Sequence, residues 1–292
     1  MNSIENDIRP IPPESYPFLL RMALAGASNV PECLYVRGEL PSDDHIFLTV
    51  VGSRRYTDYG KSVCEHLIAG LRGLPVVIIS GLAYGIDSIA HEAAMKNGLK
   101  TIAVPGSGLA EDMIYPANHV GLARRILSAG GCLLSPFEET VMGNNWTFPY
   151  RNRIMAGMAH ATLVIEAEED SGTTITAEHA VGFNRDLLVV PGSILSKKSV
   201  GPHLYMKDGA IPIISQEALL EALRLSDAPR AKPDYKDLST EERHIVAALF
   251  EPKTRDALLA AVRFDAQTTN SLLSRLELKN VICEESGLLR LV

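Results

Sequence analysis

The sequence predicts an α/β protein built on a doubly wound, mostly parallel sheet, followed by a small C-terminal winged-helix domain. Three observations carry this expectation. Short runs of aliphatic and β-branched residues (45–51, 75–80, 100–105, 131–135, 161–167, 187–191 and 211–214) alternate with stretches of helical periodicity. The runs are apolar at nearly every position, as in parallel strands covered by helices on both faces. Nearly every run gives way to small residues: Gly52-Ser53-Arg54, Gly81 to Gly85, Gly106-Ser107-Gly108, Ser171 to Thr174 and Gly192-Ser193. Such loops lie at the carboxyl ends of strands, where open α/β sheets take their ligands.

Residues 13–40 suggest a short helix and one edge strand and carry no evident chemistry, so residues 1–44 are expected to be an N-terminal extension packed on a domain ending near residue 225. After the first run, Gly52 lets backbone approach a ligand, and Thr57 can cap a helix over Tyr59 to Gly73. The free N–H groups and dipole at that helix start favour a phosphate, which Arg54 could also reach. The alternative is a tight turn whose arginines face solvent.

After Gly81 to Gly85, Asp87 either caps the helix Ser88 to Lys96 or binds a ribose or backbone group, and His91 reads as packed. Between the fourth and fifth runs, Thr147 to Met155 places Arg151 and Arg153 near a helix start. Two arginines are expensive to bury there without anionic partners, Asn152 can donate and accept, and Phe148 could stack on a base. A salt-bridged helix start with Phe148 in the core is the alternative. Neither G-x-x-x-x-G-K-[ST] nor G-x-G-x-x-G opens the first helix, so the expected site binds phosphate without being a nucleoside-triphosphate or dinucleotide site.

Residues 226–237 are polar and proline-bearing and read as a linker. Beyond it, Ser239 to Glu242 forms a capping box for a helix reaching about Phe250. Helices over 254–262 and 266–280 and a hairpin of 281–284 with 288–291 complete a winged helix at 238–292. Its third helix offers Arg275 and Lys279 against Asp265 and Glu277, which supports protein contact as well as groove reading.

The chain of 292 residues is 46% hydrophobic and 22% charged, with a net charge of −7. That charge disfavours a general polyanion binder, yet residues 47–225 are nearly neutral, with 15 Lys and Arg against 17 Asp and Glu, which leaves room for a local basic pocket. No run is long and apolar enough to span a membrane, and the N-terminus lacks the order of a signal peptide, so a cytoplasmic protein is expected. Cys33, Cys64, Cys132 and Cys283 form no C-x-x-C pair, so neither a metal site nor a disulfide framework is expected, and no cofactor is implied.

Together, Val51-Gly52-Ser53-Arg54 with Tyr59-Gly60, Ser80 to Asp87 with Ala90-His91, Tyr115-Pro116, Phe148 to Ile154, Ser171 to Ala177 and Val190-Pro191-Gly192 resemble the DNA processing protein A (DprA, or Smf) family. The resemblance runs from about Tyr16 to Ala210 and resumes in the tail. It implies an extended Rossmann-like fold that binds single-stranded DNA, forms a homodimer and helps load the RecA recombinase during natural transformation. The implied DNA- and phosphate-binding residues are Gly52, Ser53, Arg54, Gly81, Gly85, Asp87, Gly106, Phe148, Arg151, Asn152, Arg153, Ser171, Gly172 and Thr173, with no catalytic residue. Arg54, Arg151 and Arg153 are expected on phosphates. The chain departs from the family at Ala110 to Ile114, at Ala117 after Tyr115-Pro116, and at Ser135-Pro136, and the family's preceding helical domain is expected to be absent.

Two other functions use the same loops. Residues 151–177 also resemble the LOG-type nucleoside-monophosphate phosphoribohydrolases, but their catalytic glutamate falls on Thr176 here, and Glu178 lies two residues on, facing another way. A nucleotide-sensing protein signalling through the winged helix is the third reading. For dimerisation, Ile211 to Ile214 with Ala218 to Leu223 suggest an exposed apolar edge, the alternative being that they close the core.

Overall fold

The apolar runs form one sheet whose order explains where a ligand can enter. The computed structural model describes residues 7–27, 29–169, 171–228, 238–249, 252–279, 281–285 and 287–291. Its contacts divide the chain into two units, Met1–Ala231 and Lys232–Val292. Most of the expected linker, at 229–237, lies outside the described residues.

In the first unit the strands are β1 (Ile8–Ile11), β2 (Leu34–Gly38), β3 (Ile46–Val51), β4 (Val76–Ser80), β5 (Lys100–Ala103), β6 (Cys132–Ser135), β7 (Ala161–Val164), β8 (Asp186–Val189) and β9 (Ile211–Pro212). They pair in the order β1-β2-β6-β5-β4-β3-β7-β8-β9. From β6 to β9 every neighbour is parallel, while β2 runs antiparallel to β6 and β1 antiparallel to β2. The sheet is thus the mostly parallel one expected, with one correction. The segment now β2 was expected at the edge; β1 covers it. Pro10 disguised β1, since proline marks a sequence as non-strand unless its missing N–H faces outward from an edge.

The helices are α1 (Phe18–Leu24), α2 (Asp58–Ala69), α3 (Ile86–Lys96), α4 (Val120–Ser128), α5 (Thr147–Met158), α6 (Gly172–Gly182), α7 (Val200–Lys207) and α8 (Gln216–Ala222). Successive strand residues point to opposite faces, so each buried strand feeds two cores. Leu48, Val50, Ile78 and Leu163 meet Leu67 and Ile68 of α2, Ile86 of α3 and Leu219 of α8. Phe47, Val51, Val77 and Val164 meet Leu20 of α1, Ile154 and Met155 of α5 and Ala177 of α6. Truncating a fully buried residue such as Leu48 to Ala costs about 2–5 kcal/mol.

From β3 the chain steps outward through β4, β5 and β6, then returns to place β7 on the other side of β3. The loops leaving β3 and β7 therefore diverge, and the opening between them is the ligand crevice of a doubly wound sheet.

The second unit has α9 (Thr240–Ala248), α10 (Arg255–Ala261) and α11 (Ala266–Leu278), then the antiparallel pair β10 (Ile282–Glu285) and β11 (Leu288–Leu291). Both halves of the capping box at Ser239 and Glu242 form. Ile245, Leu258, Leu273, Leu276 and Leu289 make a core of its own. Lys279 donates to both oxygens of the buried Glu242 at 2.8 Å. Among the described residues no helix is long and apolar enough to cross a membrane, and no group of three His, Cys, Asp or Glu could hold a metal ion.

Candidate functional site

A crevice of about 550 Å³ opens at the carboxyl ends of β3 and β7. Of the residues singled out in the sequence, Gly52, Ser53, Arg54, Asp87, Phe148, Arg151, Asn152, Ser171, Gly172 and Thr173 line it. Gly81 lies in an adjoining recess with Arg54, Tyr115, Phe148 and Arg151.

The helix start expected to take a phosphate is already filled. Thr57 caps α2 by accepting from the Gly60 N–H at 3.1 Å. Glu166, which directly follows the apolar run of β7 and is 4% exposed, accepts from the Thr57 N–H at 3.0 Å and the Thr57 hydroxyl at 2.5 Å. A Cβ at Gly60 would collide with this carboxylate. An internal carboxylate already sits at the positive end of α2, which disfavours a ligand anion there.

The start of α6, on the opposite wall, is open. Ser171 is the residue before the helix, but its side chain makes no capping bond, and its Oγ is buried without a hydrogen-bond partner. Nothing stands within 4 Å of the place a Cβ would take on Gly172. The first N–H groups of a helix have no intrahelical acceptors, so this end can receive an anion.

The other glycines answer to packing. A Cβ at Gly52 would come within 2.8 Å of Ile86, and one at Gly81 would strike Arg151 and Asp87. Gly85 sits at φ 81°, where a Cβ would strike the Ser53 carbonyl, and a Cβ at Gly106 would strike the Phe148 ring. Close approach to the protein's own atoms accounts for a glycine at all four, a packing role beside the ligand approach expected for Gly52, Gly81, Gly85 and Gly106.

The three arginines expected on phosphates separate. Arg54 projects into the crevice, exposed, with its guanidinium 5.6 Å from the centre of the Phe148 ring. Arg151 is 4% exposed at the crevice floor. Its Nη1 donates to the carbonyls of Gly81 and Val104, which follow β4 and β5, and its Nε donates to Asn152 Oδ1 at 2.9 Å. Burial pulls this guanidinium down to about 10, against the Asp87 charge that opposes it.

Arg153 does not reach the crevice. It donates to the Asn29 carbonyl at 2.7 Å and lies 6.0 Å from the Phe183 ring. Residues two apart on a helix point about 200° apart, so Arg151 and Arg153 cannot both face one cleft. Asn152 donates to the Gly172 carbonyl at 3.3 Å and thereby joins α5 to the start of α6. Asp87 accepts from the Gly81 N–H at 3.1 Å and does not cap its own helix, which follows Gly85. Burial pushes its carboxyl up, partly offset by Arg151. His91 is packed, as expected, with Nδ1 2.7 Å from Thr101 Oγ1.

Lys198, Glu166 and Tyr115 were not anticipated. Lys198 donates to Ser53 Oγ at 3.0 Å and to Glu168 at 2.6 Å, adding a further cation to the crevice, which Arg54, Arg55 and Arg151 also line. The pair Lys197-Lys198, just past the small loop Gly192-Ser193 at a strand's carboxyl end, was the available signal. Tyr115 stands 5.5 Å from Phe148, so Arg54, Phe148 and Tyr115 form one cluster at the mouth.

Residues 9–224 match the family model of DNA recombination-mediator protein A. The chain is 40% identical over 228 residues to protein Smf of Escherichia coli, covering 74% of this chain and 59% of that protein. It is 39% identical over 198 residues to DNA processing protein DprA of Streptococcus pneumoniae, covering 66% of this chain and 67% of the relative. The solved structure of the Streptococcus pneumoniae protein superposes with a TM-score of 0.67 at 35% identity, covering 75% of each chain. A structure of DNA processing protein A from Helicobacter pylori, described for its single-stranded DNA binding mode, superposes at 0.65 with 26% identity, covering 75% of this chain and 96% of that one.

Proposed function

This chain belongs to the DNA recombination-mediator protein A family, and from that membership we propose that it binds single-stranded DNA, taking the phosphate backbone into the crevice between β3 and β7. The observation that carries the reading is the open start of α6, where an orphaned Ser171 hydroxyl and an unobstructed Gly172 face the same space as Arg54. The single-stranded DNA binding described for the Helicobacter pylori protein points to the same ligand. Gly172 and Thr173 N–H groups, the Ser171 hydroxyl, Arg54 and Lys198 all suit phosphate oxygens and carry no base code, so little sequence preference is expected. Phe148 is shared by Arg54 and Tyr115; a base stacks there as Arg54 swings from the ring to a phosphate. Arg151, Asn152 and Asp87 hold the floor in place.

In this reading the bound strand is protected and handed to the RecA recombinase during recombination of incoming DNA, as the family resemblance implies, and a cytoplasmic location, expected from the sequence, suits that role. A homodimer is part of the proposal. Of the apolar segment considered for it, Leu219 and Leu223 are core, whereas Ile211 and Ile214, at the β9 edge of the sheet, are 41% and 81% exposed. The C-terminal unit is read as a winged helix. With Lys279 engaged by Glu242, its third helix favours a protein contact over groove reading.

The protein acts here as a binder rather than an enzyme. Against a phosphoribohydrolase, the position of the catalytic glutamate is held by the buried Thr176, and Glu178 is exposed on another face of α6. Binding of labelled oligothymidylate, a duplex of the same length and nucleoside monophosphates at two salt concentrations tests the proposal. Salt-sensitive preference for the single strand is expected. Equal affinity for duplex, or indifference to salt, would refute it, and release of free base from a monophosphate would favour the hydrolase.

A further inference from the structure

A second groove, of about 360 Å³, lies between the segment entering β2 (Val30 to Cys33), the exit of β6 (Pro136 to Glu138) and the start of α5. Its walls are aromatic. Phe137 is buried and meets Trp146 edge-on at 5.4 Å and Tyr150 at 5.7 Å. Trp146 is 61% exposed, an unusual placement for the largest apolar side chain in the absence of a partner. Glu32 and Glu138 stand exposed at the rim, and among the described residues no basic side chain lines the groove. Arg153, whose charge is felt at Tyr150, is turned onto the Asn29 carbonyl. Tyr35, also in the groove, has its hydroxyl pushed up to about 12, first by its hydrogen bond with Cys33 and then by burial, with Glu138 and Glu139 acting in the same direction.

Electron-rich ring faces with carboxylates beside them and no cation inside make a receptor for a planar cation. A guanidinium stacks on aromatic faces while its N–H fork meets carboxylates, and it sheds water more readily than an ammonium. A nucleic-acid strand fits poorly, because Glu32 and Glu138 would face its phosphates. We propose that this groove, lined by Trp146, Phe137, Tyr150, Glu32 and Glu138, is a docking site for an arginine side chain presented by a partner protein. It is separate from the DNA crevice in lining, although α5 contributes to both: Trp146 lines the groove, Phe148 the crevice.

Trp146 is the single tryptophan of the chain, so intrinsic fluorescence reports on the groove. The full chain is titrated with acetyl-Gly-Arg-Gly-amide and with the peptide carrying neutral citrulline in place of arginine. The expected result is a saturable change with the arginine peptide, bound about tenfold or more tightly than the citrulline peptide. A Glu32→Gln, Glu138→Gln double variant, which alters only exposed groups, should melt like the parent and lose that discrimination. An equal response to citrulline, no saturable response to arginine, or unchanged discrimination in the double variant would each overturn the proposal. So would a Trp146→Phe variant that loses oligothymidylate affinity by about tenfold while melting normally, since the groove would then serve nucleic acid.

Discussion

The carboxylate of Glu166 is bonded to both the backbone N–H and the hydroxyl of Thr57, the residue that caps α2. A side chain that leaves β7 thereby neutralises the helix that follows β3, and the two walls of the crevice become unequal. One helix start is satisfied from within the protein; the other, at Ser171 and Gly172, faces the cavity.

Replacing Glu166 with Gln keeps the shape and removes the charge. A loss of about 1–2 kcal/mol is expected, a fall in melting temperature of about 2–8 °C for a unit of this size. Oligothymidylate affinity should stay within about twofold, because the DNA phosphates are assigned to α6 rather than α2. Calorimetry and a binding isotherm on one preparation check both; tighter DNA binding would mean that the vacated α2 end takes a phosphate.

Two glycine-to-alanine changes should behave oppositely. Gly81→Ala forces a methyl into Arg151 and Asp87 and should cost about 2 kcal/mol or more. Gly172→Ala meets open space and favours the helix, so stability should hold or rise by up to about 1 kcal/mol while DNA binding weakens. Thermal melts and binding of both variants measure the contrast. A Gly81→Ala protein as stable as the parent would contradict the packing described at the crevice floor.

Arg153→Ala should leave oligothymidylate affinity unchanged, since the side chain is spent on Asn29 and Phe183. A stability loss of no more than about 1 kcal/mol is expected for this exposed contact. A tenfold fall in affinity with an unchanged melt would return Arg153 to the DNA site.

His91 gives the stability a pH dependence. Burial pulls its imidazole down to about 3, with His119 and Arg151 acting in the same direction. The unfolded chain takes up a proton on this residue near pH 6.5 and the folded protein does not, so stability is full above pH 6.5 and falls as pH drops towards 3. At pH 5 the loss is about 2 kcal/mol. Melting at pH 7.5 and pH 5, in the parent and in His91→Gln, should show a smaller pH-dependent drop in the variant; equal drops would assign the effect elsewhere.

What could be read in the sequence was whatever depends on neighbours in the chain. The strand runs are continuous in sequence, and Thr57 sits directly before the helix that it caps. Small-residue loops at strand ends marked the crevice, and ten of the fourteen residues named line it. What was missed depends on partners far away in the chain. Glu166 reaches Thr57 across 109 positions, and Lys198 reaches Ser53 across 145. A glycine needed for a ligand looks the same in sequence as one needed for packing, and of the five glycines named for the site, Gly52, Gly81, Gly85, Gly106 and Gly172, the last alone has open space where a Cβ would stand. Giving both Arg151 and Arg153 to phosphate went against their spacing on a helix, which lets only one of them face the crevice; which one depends on the phase of α5 about its axis, and that was unknown.

The most direct test is oligothymidylate affinity and melting temperature measured together on Arg54→Ala. Arg54 is exposed over the Phe148 ring, and among the described residues its guanidinium makes no hydrogen bond or ion pair, its charge acting at a distance on the buried Asp87, so its removal disturbs little of the fold. Loss of a charge-assisted phosphate contact is worth about 1.5–3 kcal/mol, roughly ten- to a hundredfold in affinity, and the melting temperature should move by no more than about 2 °C. An Arg54→Ala protein that melts like the parent and binds oligothymidylate with parental affinity would contradict the assignment of this crevice to DNA.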